Sequence, residues 1–98
     1  IIDHHIVSSS YAEILRTKVE FIDINSGDDS YIFKELCSTQ LTFWVMYAVN
    51  TEINPKIDMS QFLSIYAIGT IGDMMTVGSF NRPYVELGLK LLRTTEIP

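Results

Sequence analysis

The sequence predicts an α/β fold in which helix dominates, in the order strand, helix, strand and three helices. Residues 1–2 are two β-branched isoleucines, which are typical of the end of a buried strand, and residues 19–24 are rich in Val, Phe and Ile. Apolar residues then recur at helical spacing between Cys37 and Ala48. The 98 residues are enough for one small domain and too few for two.

The first part of the chain is predicted to alternate between strand and helix. Ser10 and Glu13 have the spacing of a capping box, which favours a short helix over about residues 11–18. The apolar residues 19–24 are predicted to form the second strand. Residues 25–30 consist of Asn, Ser, Gly and Asp, so a loop is expected there.

The first of the three later helices is predicted from a single apolar stripe and ends near Val49. The stripe consists of Cys37, Leu41, Trp44, Val45 and Ala48. Residues 51–57 contain an Asn-Pro pair and are predicted to connect this helix to the next one.

Capping residues predict where the last two helices begin. Asp58, with Gln61 three residues later, opens a helix that ends around residues 72–73. Asn81 is a good capping residue and Pro83 is tolerated in a first turn, so the last helix is predicted to start there. The apolar faces of the two helices are formed by Phe62, Ile65, Tyr66, Ile68 and Gly69, and by Tyr84, Leu87, Gly88, Leu91 and Leu92.

Composition excludes several classes of protein. The net charge is −5 and the seven basic residues are scattered, so these residues do not form a nucleic-acid-binding surface by themselves. The longest apolar run, residues 41–49, is far short of the ~20 residues of a membrane span, and no secretory signal is recognised. The single cysteine, Cys37, has apolar neighbours, which favour a buried reduced thiol over a nucleophile. A cytoplasmic protein without membrane contact is therefore expected.

The most unusual tripeptide is Asp3-His4-His5, which holds both histidines of the chain and follows a predicted strand end. Ligand sites of open α/β sheets form at the carboxyl ends of strands. A neutral imidazole is a good ligand for manganese or zinc, and an adjacent carboxylate can fix its tautomer. The second imidazole could hold a phosphate oxygen. The alternative is a polar loop whose three side chains face water.

Asp73 is the second candidate, because it is the only charged residue in an otherwise small and apolar stretch. A carboxylate in apolar surroundings is costly unless it is paired, and a divalent cation would supply the counter-charge. Gly69 and Gly72 lie on one helical face and would allow another backbone to come close. The alternative is an exposed aspartate at a helix end.

Other residues have a structural interpretation beside a functional one. Trp44 is predicted to belong to the core of its helix, with a base-stacking platform as the alternative. Asn81 and Arg82 are predicted to cap a helix and to form a surface ion pair, or else to reach a phosphate group.

Taken in order, these pieces resemble the DHH superfamily of phosphoesterases over residues 1–93. Residues 2–5 (Ile-Asp-His-His) resemble its third motif. Residues 69–75 (Gly-Thr-Ile-Gly-Asp-Met-Met), then Asn81-Arg82 and Gly88-Leu89, resemble the fourth motif and its downstream helix in RecJ-type single-strand DNA exonucleases. Between them, Ser30-Tyr31, Lys34, Leu36 and Phe43 resemble the segment entering the connecting helix. The departures are Gly72 where Ala is usual, Thr76 where Pro is usual, and Ser38 and Gln40 where glycines are common.

The resemblance implies roles for individual residues. His4 and Asp73 would ligate one manganese ion, His5 would contact the scissile phosphate, and Asp3 would support the site as a second catalytic residue. Arg82 would bind substrate phosphate. The superfamily uses two metal ions, for which magnesium can stand in, to hydrolyse phosphodiesters.

The resemblance also implies that residues 1–98 are the C-terminal portion of a DHH catalytic domain, a helix-rich part of a parallel-sheet α/β domain. The first two motifs, with the remaining ligands, would belong to the rest of the parent chain, so these residues alone should be inactive. The expected substrate is single-stranded DNA, cleaved 5′ to 3′. The alternatives are a DHH phosphoesterase acting on short oligonucleotides, cyclic dinucleotides or pyrophosphate, an inactive DHH-fold scaffold, and an unrelated helical interaction module.

Overall fold

The computed structural model describes residues 2–3, 22–23, 35–53 and 55–94. The helix predicted over residues 11–18, the loop predicted over residues 25–30, and both His4 and His5 lie outside the described residues.

Two short strands form a parallel pair. Strand β1 spans Ile2–Asp3 and strand β2 spans Ile22–Asp23, with Ile2 opposite Ile22. Strand β2 lies within the predicted strand, and β1 includes Asp3, one residue beyond the predicted strand end at Ile2. Parallel neighbours need a connection of a dozen or more residues, and residues 4–21 provide that length. The α/β class with a larger parallel sheet stays a prediction.

Helix α1 spans Ser38–Glu52, so it continues past the predicted end near Val49. At its start, the side-chain Oε1 of Gln40 accepts a hydrogen bond from the Cys37 backbone N–H at 2.7 Å. This bond satisfies one of the N–H groups that a helix start leaves without a partner. Beyond the helix end, the Asn50 side chain accepts from the backbone N–H of Ile57 and donates to its carbonyl, both at 2.8 Å. These two hydrogen bonds hold the connection that follows α1 against the last turn of the helix.

The helix that is predicted to open at Asp58 begins as a 3₁₀ turn. A 3₁₀ helix spans Met59–Phe62 and continues directly into helix α2, Leu63–Gly72. The predicted capping at Asp58 is confirmed, since its carboxylate accepts from the Ser60 backbone N–H at 3.0 Å. The Gln61 side chain donates to the Asp58 carbonyl at 2.8 Å. The end of α2 also lies where the sequence predicts it.

Helix α3 spans Arg82–Thr94 and starts at the predicted place. The Asn81 carbonyl accepts from the Val85 N–H at 3.0 Å, as expected for the residue before a helix. The prediction that the Asn81 side chain caps the helix is wrong, because that side chain is only 1% exposed and hydrogen-bonds to other elements.

The core lies mainly between α2 and α3. Its buried members are Leu63, Tyr66, Ala67 and Val85, and Phe43, Trp44, Tyr84 and Leu91 pack against them. Gly88 permits the close approach of the two helices. A Cβ atom at that position would collide with the Leu63 carbonyl oxygen and lie 2.7 Å from the Ala67 Cβ. The backbones of α2 and α3 are therefore in direct contact at Gly88.

Gly69 and Gly72 differ in their surroundings. A Cβ at Gly69 would lie 2.5 Å from the Thr39 Cβ, so this glycine lets α1 approach α2. Within the described ranges, a Cβ at Gly72 would meet nothing within 4 Å, so the predicted close approach is not found there. Of the helices in the part of the chain that the structure describes, none has the length and apolar character needed to cross a bilayer.

Candidate functional site

Two segments that are distant in sequence, β1 and α2, contact the first turn of α1. Ile2 of β1 packs against Leu36 and Leu41. The Gln40 side chain donates from Nε2 to the Thr70 hydroxyl of α2 at 2.8 Å. The strand that immediately precedes His4 and the helix that ends beside Asp73 are thus both attached to this turn.

Asp73 occupies the C-cap of α2, and its side chain is exposed. The chain then reverses through two further hydrogen bonds: Met75 N–H donates to the Thr70 carbonyl at 2.9 Å and Met74 N–H to the Ile71 carbonyl at 3.1 Å. This is the pattern of a Schellman motif, which calls for a left-handed residue at the position of Met74. Met74 indeed has a φ of 50°.

Two local features of this turn are unfavourable. A carboxylate at the C-terminal end of a helix faces the negative end of the helix dipole, which costs about 0.3–1 kcal/mol at an exposed position. Met74 adopts a left-handed conformation that glycine would adopt without strain. The prediction that Asp73 is costly because of apolar burial is wrong; the cost comes from its position on the helix. Unfavourable local geometry of this kind is often found at functional sites.

Replacing Met74 by glycine is expected to raise the free energy of unfolding by about 1 kcal/mol, because glycine relieves the left-handed strain. The Met74 side chain is 91% exposed, so few packing contacts are lost. Urea denaturation of the wild type and of Met74→Gly measures the effect. An unchanged or reduced midpoint would show that the turn is not strained.

A chain of buried polar residues holds this turn in place. The Thr70 hydroxyl donates to the Tyr66 carbonyl at 2.8 Å, and the Tyr66 hydroxyl donates to the Asn81 Oδ1 at 2.9 Å. Asn81 in turn donates from Nδ2 to the carbonyls of Thr76 at 3.2 Å and Glu35 at 3.4 Å. Burial raises the pKa of the Tyr66 hydroxyl, so this group stays a neutral donor.

Sequence reasoning did not identify this network. Gln40, Thr70 and Asn81 are each at most 1% exposed, and buried polar side chains of this kind need partners from distant parts of the chain. The only available signal was local, namely that Gln40 stands three residues after Cys37 at the start of α1.

Arg82 lies at the first position of α3, and its side chain is exposed. The surface ion pair that the sequence suggested stays a prediction, and the guanidinium group donates to the Val77 carbonyl at 3.4 Å. It therefore keeps a positive charge on the surface just beyond the turn that follows Asp73.

Two other candidates have structural positions. Cys37 is free and fully buried, which confirms the buried thiol and disfavours the nucleophile. Trp44 packs edge-on against Phe43 and Tyr84, at centroid distances of 5.3 and 5.2 Å, as predicted for a core residue. Its indole N–H is buried and meets no acceptor within the described ranges.

Manganese and magnesium prefer oxygen ligands, and the exposed carboxylate of Asp73 offers two such oxygens. Among the described residues, no three His, Cys, Asp or Glu side chains come close enough together to hold an ion. His4 and His5 lie outside those residues, and Asp3 is described only as part of β1. The shared ion of His4 and Asp73 stays a prediction.

No protein-family model, curated protein or solved structure matches this chain.

Proposed function

We propose that this chain is the part of a DHH-superfamily catalytic domain that carries the third and fourth motifs. In the intact protein, this domain would hydrolyse phosphodiester bonds with manganese, as a 5′ to 3′ exonuclease on single-stranded DNA. The observation that carries the proposal is that β1 and the end of α2 are both attached to the first turn of α1.

This arrangement supports the pairing of the two motifs. His4 directly follows β1, and Asp73 directly follows α2. Two residues that are distant in sequence can bind the same metal ion only if the fold brings their segments close together. The contacts of Ile2 with Leu41 and of Gln40 with Thr70 bring both segments to one helical turn.

The electrostatics of α2 support a cation beside Asp73. The helix contains no basic residue in its last turn, so nothing within α2 compensates a carboxylate at that end. A divalent ion would neutralise both the carboxylate and the negative end of the helix dipole. The exposed position of Asp73 also leaves its oxygens accessible to an ion.

In this proposal each residue has a defined task. Asp73 and His4 hold one ion, His5 donates a hydrogen bond to a phosphate oxygen, and Asp3 orients the adjacent imidazole. Arg82 attracts a second phosphate of the substrate. When bound, the two manganese ions activate water and neutralise charge on the phosphate. The remaining ligands would come from the rest of the parent chain.

The charge of the chain favours a second candidate within the same chemistry. With seven basic residues against twelve acidic ones, this part of the protein offers little attraction for a long polyanion. A substrate with few phosphates, such as a short oligonucleotide, a cyclic dinucleotide or pyrophosphate, needs fewer basic contacts. We propose a cytoplasmic setting for either activity, with which the buried free thiol of Cys37 agrees.

The intact protein is expected to release nucleotides from 5′-labelled single-stranded DNA in the presence of manganese and to lose this activity with a chelator. His5→Ala should lower turnover while leaving manganese affinity nearly unchanged, because His5 is assigned to the phosphate. Short oligoribonucleotides and a cyclic dinucleotide are assayed in parallel. Hydrolysis of the small substrates alone would favour the second candidate, and no hydrolysis of any substrate would contradict both.

A further inference from the structure

Gln40 is fully buried and connects α1 to α2. Its Oε1 accepts from the Cys37 backbone N–H, and its Nε2 donates to the Thr70 hydroxyl. Both hydrogen-bonding ends of the amide are therefore used. Glycine is common at this position in the exonuclease pattern that the chain resembles, and glycine has no side chain to form these bonds.

Thr70 is also the residue that closes the turn beyond Asp73. Its hydroxyl donates to the Tyr66 carbonyl, and its own carbonyl accepts from the Met75 N–H at 2.9 Å. The bond from Gln40 thus fixes the side chain of a residue whose backbone holds the turn. On the far side of the turn, Asn81 binds the Thr76 carbonyl.

We propose that Gln40 is a positioning residue for Asp73, acting through Thr70 on the turn that presents the carboxylate. The inference rests on the proposed function, in which Asp73 is a metal ligand. The turn contains a left-handed Met74 and a carboxylate at a helix end, so it is locally unfavourable and depends on outside support. The fully buried Gln40–Thr70 bond at 2.8 Å provides that support from α1.

The proposal differs from a general stabilising role, and Asn50 offers a matched control. Asn50 also lies on α1 and makes two side-chain hydrogen bonds, both to Ile57 in the connection after the helix. Removing those bonds should destabilise the protein without reaching the turn at Asp73. Thr70→Ser keeps the hydroxyl and serves as the conservative variant. Thr70→Val and Gln40→Met preserve volume and both remove the Gln40–Thr70 bond. Each also removes one further bond, from the Thr70 hydroxyl to the Tyr66 carbonyl or from the Cys37 N–H to Gln40 Oε1, so the loss that the two variants share is the Gln40–Thr70 bond.

The experiment uses the complete protein and two readouts. Deuterium uptake of the amides of residues 73–76, measured without metal, reports the turn. Manganese affinity, measured from the paramagnetic resonance signal of free manganese, reports the site. Gln40→Met and Thr70→Val should each speed exchange at Met75 and weaken manganese binding by roughly tenfold, and the double variant should be little worse than either. Thr70→Ser should resemble the wild type.

The outcomes separate this proposal from the proposed function. Asn50→Ala should lower the urea midpoint and leave both readouts at the wild-type value. Unchanged exchange in Gln40→Met, or equally fast exchange in Asn50→Ala, would overturn the positioning role. Faster exchange with unchanged manganese affinity would also overturn it, because the turn would then not govern the ligand. A wild-type protein that binds no manganese would overturn the proposed function itself, and with it the role assigned to Gln40 in metal binding.

Discussion

Asp73→Ala is expected to reduce phosphodiester hydrolysis by the intact protein at least ~100-fold, the scale seen when one preorganised electrostatic partner is removed from an active site. The carboxylate would neutralise the ion that stabilises charge on the phosphate. The fold should remain, because the side chain is exposed and the turn is closed by backbone hydrogen bonds from Met74 and Met75.

Asp58→Ala is the matched control for this substitution. Asp58 is also exposed and also lies at a helix terminus, in this case the start of the 3₁₀ helix, where its carboxylate accepts a hydrogen bond from the Ser60 N–H. Its removal should lower the urea midpoint through the lost cap and leave the rate unchanged. Rates are measured with 5′-labelled single-stranded DNA and the small substrates. A wild-type rate in Asp73→Ala would mean that the carboxylate is not a ligand.

Gly88→Ala is expected to lower the free energy of unfolding by about 1–3 kcal/mol or more, the range for overpacking a closely fitted interior. The added methyl group would collide with the backbone of α2 at the Leu63 carbonyl, which a side-chain rotation cannot relieve. The two helices must then move apart, which disturbs the packing of the core residues Tyr66 and Val85 between them.

Gly72→Ala is the opposite case and provides the comparison. This glycine is also helical, but an added Cβ would meet none of the described residues within 4 Å. The substitution should raise stability by about 0.5–1 kcal/mol, because alanine favours helix over glycine. Urea denaturation of both variants tests the pair. Equal effects of the two substitutions would show that α2 and α3 are not in backbone contact at Gly88.

The starts of the helices were predictable because they depend on neighbouring residues. Asp58 caps the 3₁₀ turn that follows it, as its residue type indicates. Helix α3 begins at Arg82 with Pro83 in its first turn, where proline is tolerated. The end of α1 was not predictable, since it involves hydrogen bonds between the Asn50 side chain and the Ile57 backbone. That contact depends on how the connection folds back, which no helical periodicity encodes.

The candidate site was predictable in part. The sequence indicates that Asp73 lies at the end of a helix, and the structure agrees. It does not indicate that Asn81 binds Tyr66, or that Gln40 binds Thr70, because those pairs are formed by packing between helices. The assumption that Asn81 caps its own helix is wrong for the same reason: tertiary hydrogen bonds compete with local ones.

The first turn of α1 also determines the rotational register of that helix. Consecutive residues of an α-helix point about 100° apart, so adjacent side chains face different neighbours. Thr39 fills the space in front of Gly69, Gln40 reaches Thr70, and Leu41 packs with Leu36 and Ile2. A rotation of α1 by a single residue would misplace all three contacts together. The orientation of this helix about its own axis is thus specified by three consecutive side chains.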